Sequence, residues 1–254
     1  MDLAKTFRSI SLFILLFVTV ACTSTGPVDS LATRVIDRAH TLPDGVAAWK
    51  TVAIVGRVTS PNDSTTIPPF PIPIFWEQAI NDNLTLEWSP IPLSFRYQFS
   101  KTDTQMWGLN FGLGISWSNV SGLVLAPAAT IISRSKLDQN FAIQAELGSR
   151  LVFGADSDFE SGFSTDLVLS PMFQVSEVLA LYPTLGLGVS KSAYSVGQWG
   201  FETSSDKMVA TFPIGAGFDW FIARQWSLEG SYTYVKAEEG FSANLATFSL
   251  RHYW

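Results

Sequence analysis

The most constraining feature of this 254-residue sequence is a two-residue alternation of apolar and polar side chains through residues 84–254. In its clearest segment, Trp107–Trp117, every odd-numbered residue is large and apolar and every even-numbered residue is small or polar. Successive side chains of a β-strand point to opposite faces, so this pattern predicts a strand with one apolar and one polar face. The segment has eleven residues, which is long enough because a tilted strand needs about 9–11 residues to cross a bilayer.

The same alternation recurs along the chain, while no apolar run of about 18 residues, the length of a membrane-spanning helix, follows the N-terminus. Hydrophobic residues nevertheless make up 47% of the chain and charged residues only 15%. Because only helices and closed barrels satisfy every backbone group inside a bilayer, these features favour a closed barrel. A soluble β protein with an unusually apolar surface stays open. The further alternating segments are Phe141–Phe153, Phe163–Phe173, Leu179–Val189, Phe212–Trp220 and Trp226–Tyr234, with Leu123–Ile131 less regular.

The connections between these segments predict an antiparallel up-and-down barrel. Short turns near residues 80–83, 135–140, 175–178 and 222–225 alternate with longer polar loops at 154–162, 191–207 and 236–243, as periplasmic turns alternate with external loops. Residues 106–254 supply eight strands, and Leu84–Ser89 with Leu93–Ser100 would make ten. Val52–Thr59 and Ile72–Ala79, around a proline-rich loop at Pro61–Pro71, would make twelve. We favour twelve strands and keep eight and ten open.

The chain ends on an aromatic residue after a last alternating segment that includes Phe248, Leu250 and Trp254. This ending resembles the C-terminal strand of bacterial outer-membrane β-barrel proteins, in which these residues form the insertion signal. In that family an aromatic residue usually stands where His252 is. The resemblance covers about residues 84–254 and implies a bacterial outer-membrane location, with outer-membrane lipid and the barrel-insertion machinery as partners.

Residues 1–21 have the features of a secretory signal peptide, because Lys5 and Arg8 precede an apolar stretch at Ile10–Val20. The segment Val18–Cys22 resembles a bacterial lipobox, although Thr19 stands where Leu is preferred. The resemblance implies lipid attachment at Cys22, the only cysteine in the chain, and contact with the lipoprotein-sorting machinery. We therefore predict a signal peptide at 1–21, a lipidated periplasmic tether at 22–48 and a barrel at 49–254. Within the tether, Ser30–Ala39 predicts one or two helical turns.

The strand alternation also predicts which charged residues face the barrel lumen. Paired acidic and basic side chains there would either fill the interior or line a narrow pore or a small polar ligand site, because a buried charge needs a partner. The predicted lumen residues are Glu87, Arg96, Glu146, Arg150, Asp166, Asp219, Glu229 and Arg251.

Several classes of function fit the sequence poorly. A net charge of −6 argues against nucleic acid as a partner, and we find no motif for a cofactor or a metal. Of the two histidines, His40 lies in the predicted tether, and His252 and Ser249 fall on opposite faces of the last strand, so we expect no Ser/His hydrolase and no enzyme.

The sequence therefore predicts a non-enzymatic outer-membrane β-barrel lipoprotein, either structural or a narrow channel with a charged lumen. One alternative is a surface binding or adhesion module that acts through the loop at 191–207. The other is a soluble periplasmic β-lipoprotein. No feature of the sequence identifies an external ligand.

Overall fold

A computed structural model of the chain describes residues 30–60, 63–88, 92–118, 122–154, 161–191, 193–196, 199–202, 208–237 and 242–254. Twelve antiparallel strands close into one barrel, and two further strands form a separate hairpin. The barrel strands are β1 Ala47–Ser60, β2 Asp63–Asn81, β3 Leu84–Trp88, β4 Pro92–Lys101, β5 Gln105–Ser118, β6 Gly122–Lys136, β7 Phe141–Gly154, β8 Gly162–Ser176, β9 Leu179–Lys191, β12 Met208–Ala223, β13 Trp226–Ala237 and β14 Ser242–Tyr253; the hairpin strands are β10 Ala193–Val196 and β11 Trp199–Glu202.

Each barrel strand pairs with its neighbours in the chain, and the first strand closes the ladder against the last. In that closing pair, Ala48–Thr59 of β1 runs antiparallel to Ser242–Tyr253 of β14. The favoured prediction of a twelve-stranded up-and-down barrel is confirmed. The counts of eight and ten are wrong, because the segments around Val52 and Ile72 are both part of the ladder.

The outer face of the barrel is apolar and exposed. Leu185 and Leu187 on β9 retain 61% and 60% of their accessible surface, and Phe212 and Ile214 on β12 retain 46% and 53%. A continuous apolar belt of this kind is stable only against lipid, and polar residues occupy the opposite face of the same strands. The barrel therefore spans the bacterial outer membrane, and the soluble β-lipoprotein alternative is wrong. Among the described residues, no helix is long and apolar enough to cross a bilayer.

The short turns lie at one end of the barrel together with the C-terminus. Here the amide of Ala47 donates to the carbonyl of Trp254 over 2.9 Å, where β1 begins and the chain ends. By the usual arrangement of outer-membrane barrels, this is the periplasmic end. At the other end, the predicted loop at 191–207 contains the β10–β11 hairpin.

The prediction of a proline-rich loop at Pro61–Pro71 is wrong for the residues that the structure describes. From residue 63 onward this segment belongs to β2, which pairs with β1 over Ser64–Thr59 and Ile72–Val52. Proline lacks a backbone N–H and is tolerated in a sheet only where the missing donor faces an edge. The prolines therefore leave the strand intact because one side of this part of β2 has no neighbour among the described residues.

The apolar face of β1 points into the barrel rather than toward lipid. Ile54 packs with Val209, Val235 and Leu245, from β12, β13 and β14, and each of the four side chains is buried. This apolar corner lines the inner wall along four neighbouring strands, so the barrel interior is only partly polar.

Candidate functional site

Residues 30–46, which we call the N-terminal segment, lie across the periplasmic end of the lumen. They belong to the predicted tether at 22–48, but the structure packs them against the inner wall of the barrel. A 3₁₀ turn forms at Val35–Asp37, within the stretch for which the sequence predicted one or two helical turns. A stretch this short is marginal as an isolated helix, so contacts with the wall hold its conformation.

Apolar side chains anchor the segment at two places on the wall. Val35 and Ile36 are buried against Ala142, Met172 and Ala180, from β7, β8 and β9. Leu31 and Leu42 pack in a second cluster with Val46, Ala79, Phe221 and Tyr253. The wall residues in both clusters are inward-facing, so the segment occupies the interior of the barrel.

The wall also satisfies the main chain of the segment. Backbone amides of the segment donate to Gln98 and Thr85: His40 N to Gln98 Oε1 over 2.9 Å and Leu42 N to Thr85 Oγ1 over 2.8 Å. Arg134 Nη1 donates in the other direction, to the carbonyl oxygens of Val35 at 2.7 Å and Arg38 at 2.8 Å. Since these groups lie inside the barrel, each bond replaces a water contact that the docked segment has lost.

Three ion pairs join the segment to the barrel, one of them between Arg34 Nη1 and Glu177 Oε1 at 3.8 Å, in the turn after β8. Arg38 Nη1 lies 2.8 Å from Asp219 Oδ2, and both side chains are about nine-tenths buried. Asp37 pairs with Lys136 of β6. At the rim, Arg34 donates to the Asn140 side chain. The charged side chains of the segment thus lie opposite side chains of opposite charge on the barrel.

His40 lies deep in this interface. Its ring is close to Gly108 of β5, where a Cβ atom would approach the His40 ring carbon Cδ2 to 3.2 Å. Burial, together with the nearby guanidinium groups of Arg134 and Arg96, lowers the pKa of His40 to about 3. The segment therefore docks with His40 uncharged.

A second charged cluster lies on the wall formed by β1–β4 with β13 and β14. The carboxylate of Glu77 is fully buried and contacts three cations, at 3.4 Å from Lys50 Nζ, 2.9 Å from Arg96 Nη2 and 3.3 Å from Arg251 Nη2. Glu87 pairs with Lys50, and Glu229 with Arg251. Three acids and three bases therefore neutralise one another across adjacent strands.

The structure places all eight predicted lumen residues on the inner wall. Glu87, Arg96, Glu229 and Arg251 belong to the Glu77 cluster, and Asp219 binds the N-terminal segment. Glu146 accepts a hydrogen bond from Gln144, and Arg150 lies near Asp166.

Sequence reasoning missed Lys50, Glu77, Arg134 and Arg38. The alternation around Glu77 and Arg134 contained enough signal to place both of them on the inner face. For Arg38 no local pattern exists, because it lies outside the strands.

Of the predicted insertion-signal residues, Phe248 and Leu250 lie on the outer face of β14, where Phe248 is 49% exposed, and Trp254 directly follows the strand. His252 shares that face but is covered by aromatic rings, with centroids 4.5 Å from Trp226 and 5.9 Å from Trp254. The predicted lipidation site, Cys22, lies outside the described residues.

The apolar outer belt and the charged lumen define the class of this fold, which is a bacterial outer-membrane β-barrel. No protein-family model matches the chain, and no curated protein matches its sequence. Among solved structures, the chain is similar to an outer membrane channel from Pseudomonas putida F1, with 11% identity over 84% of this chain and 97% of that one and a TM-score of 0.54. It is also similar to a bacterial polysaccharide outer membrane secretin, with 7% identity over 82% and 98% of the two chains and a TM-score of 0.51.

Proposed function

We propose that this protein is a non-enzymatic, narrow outer-membrane channel that its own N-terminal segment closes from the periplasmic side. The observation that carries the proposal is the docking of residues 30–46 in the lumen, through two apolar clusters, main-chain hydrogen bonds and the Arg38–Asp219 pair. Side chains alone can fill the lumen of a barrel of about eight strands, whereas twelve strands leave a wider interior that the segment closes.

A lipid anchor at Cys22 fits this arrangement. Leu31 belongs to the apolar cluster against which Val178, in the turn between β8 and β9, packs, so Leu31 lies at the periplasmic end. Seven residues lie between Cys22 and Ser30, and the eight steps from one Cα to the next span at most about 28 Å in an extended chain. An acylated Cys22 would therefore reach the inner leaflet of the outer membrane and keep the N-terminal segment beside the lumen.

The absence of enzymatic activity is part of the proposal. His252 lies among tryptophan rings on the lipid face, and Ser249 is buried on the opposite face of β14. His40 is in the lumen, enclosed by the segment interface. This arrangement supports transport rather than hydrolysis by a Ser/His pair.

Conductance in planar bilayers tests the proposal. A variant that lacks residues 30–44 should conduct steadily, because its periplasmic mouth is cleared, while the full mature chain should stay closed for most of the recording. Gel mobility before and after boiling shows whether each of the two proteins is folded. Equal conductance of the two folded proteins would contradict the proposal.

A second candidate is a surface-binding module, which the ordered β10–β11 hairpin at the external end supports. Replacing residues 192–207 by a short Gly-Ser turn should then abolish binding to host or bacterial surfaces without loss of the heat-dependent mobility shift. Unchanged surface binding by the folded variant would eliminate this candidate.

A further inference from the structure

The wall of the barrel is incomplete at β3. This strand has five residues, Leu84–Trp88, and rises about 16 Å along its axis, whereas a tilted strand needs about 9–11 residues to cross a bilayer. Its neighbour β4 extends toward the external end only as far as its first residue, Pro92, which lies opposite Gly114 of β5. Within the described residues, β2 continues upward to Asp63 and β5 to Ser118 with no strand between them.

Among the strands that the structure describes, these lengths leave a side opening, bounded by β2 above Trp76, the ends of β3 and β4 at Trp88 and Pro92, and β5 above Gly114. Two strands are missing there, so about three strand spacings, or about 14 Å, separate β2 from β5. The opening lies in the half of the wall farthest from the periplasmic turns. It therefore faces the outer leaflet of the membrane.

The β2 edge of the opening is poor in hydrogen-bond donors. Pro68, Pro69, Pro71 and Pro73 lie along this part of β2, which pairs with β1 through Phe70, Pro71 and Ile72. Because proline has no N–H, this edge offers no regular ladder to an added strand. A β-strand from a partner is therefore a poor occupant of the opening, and a small molecule is a better one.

The chemistry changes from apolar outside the opening to charged inside. Trp88 and Leu93 at the rim are 38% and 59% exposed on the lipid face. Inside the barrel, Lys50 pairs with Glu87 next to the rim. Arg96 lies deeper, opposite Thr85, where its Nη2 pairs with Glu77 and its Nη1 donates to the carbonyl oxygen of His40 over 3.5 Å. The buried Nε of Arg96 has no hydrogen-bond partner among the described residues. An unpaired guanidinium N–H of this kind can donate a charge-assisted hydrogen bond to an anionic group.

We propose that the side opening admits a single-chain anionic amphiphile from the outer leaflet, with its head group at Arg96 and its apolar chain against the lipid-facing rim. The inference deepens the proposed channel function and rests on it for the onward passage to the periplasm. The lumen then works as a chamber with lateral access from the membrane and a gated exit below.

Binding of dansyl undecanoic acid to the full mature protein in lipid nanodiscs tests this inference. Ser94 lies on the inner face of β4, opposite Glu87, so Ser94→Trp places a bulky side chain in the opening. Phe95→Trp on the outer face of the same strand is the matched control, since Phe95 stacks on Phe111 outside the lumen. We expect saturable binding, weakened about tenfold by Ser94→Trp and changed less than about twofold by Phe95→Trp.

A second variant keeps the test decisive if Ser94→Trp does not fold. Arg96→Gln leaves the opening unobstructed but removes the cation, and it should weaken binding of the anionic probe about tenfold while the uncharged dansyl undecanol binds as before. No saturable signal above empty nanodiscs, or equal binding by all folded variants, would overturn the inference. Probe binding does not require conduction, so binding without conductance after removal of residues 30–44 would instead contradict only the proposed channel.

Discussion

Arg38 and Asp219 form the most direct electrostatic link between the N-terminal segment and the barrel. Both side chains are nearly buried and the contact is 2.8 Å. Removal of one partner leaves the other charge in a poorly solvated site, at a cost of about 3–5 kcal/mol. The pair therefore stabilises the docked segment mainly because either charge alone is unfavourable there.

Charge exchange at this pair predicts a specific pattern of gating. Arg38→Asp or Asp219→Arg should each raise the ratio of open to closed time roughly a hundredfold, because each places two like charges together. The double variant restores opposite charges and should return the ratio to within about tenfold of the original. Single-channel recording measures these ratios, and a double variant as open as the singles would show that the pair does not hold the segment.

His40 predicts how closure depends on pH. Its pKa is about 3 when docked and about 6.5 when the segment is free in water. Closure is therefore fully stabilised above pH 6.5, and the free segment gains a proton preferentially as the pH falls toward 3. The equilibrium should shift toward the open state by up to about tenfold per pH unit.

Recordings between pH 7 and pH 5 test this dependence. The open fraction should rise as the pH falls, and His40→Gln, which cannot take up a proton in this range, should lose the dependence. If the His40→Gln variant keeps the same pH response, another group controls it.

At the scale of a single strand, β9 shows how alternation produces the barrel. Its odd-numbered residues, such as Leu185, face lipid, while Gly186 and Gly188 face the wall of the lumen. At Gly186 a Cβ atom would lie 2.7 Å from Pro213 and 2.9 Å from the Leu167 carbonyl oxygen. Small inner residues therefore let the strands pack closely around the narrow interior.

A lysine scan of the apolar belt predicts a depth-dependent loss of stability. Leu185→Lys should lower the free energy of unfolding by about 2–4 kcal/mol, because it places a cation in hydrocarbon. The control is Leu137→Lys, in the periplasmic turn after β6, where the native residue is equally exposed at 61% but the cost should be only about 0–1 kcal/mol. Urea unfolding in lipid vesicles measures both values, and equal losses would argue against a membrane boundary between these sites.

For the whole molecule, closure of the ladder depends on β1 and not on the N-terminal segment. A variant that lacks residues 30–44 retains the full register between β1 and β14 and should keep a heat-dependent shift in gel mobility. A variant truncated through Ser60 also loses the strand that pairs with both β14 and β2. It should run as unfolded chain without heating; a persistent shift would mean that the barrel closes in another register.

The sequence alone determined the features that depend on local periodicity. Alternation around Trp107–Trp117, Glu146 and Asp219 was enough to assign strands, the lipid face and the inner charges, because a strand alternates its faces wherever it lies. The terminal Trp254 similarly indicated an outer-membrane barrel, and the alternation around Val52 and Ile54 favoured twelve strands. The lipid attachment at Cys22 stays a prediction.

Only the tertiary structure decided how the interior is used. Arg38 and His40 meet the wall through partners more than 50 residues away in the chain, and no local pattern encodes that distance. The prolines of β2 predicted a loop until the short β3 showed that the strand has a free edge. The docked segment and the side opening both depend on which surfaces remain unpaired after the barrel closes, and that depends on the register of all twelve strands together.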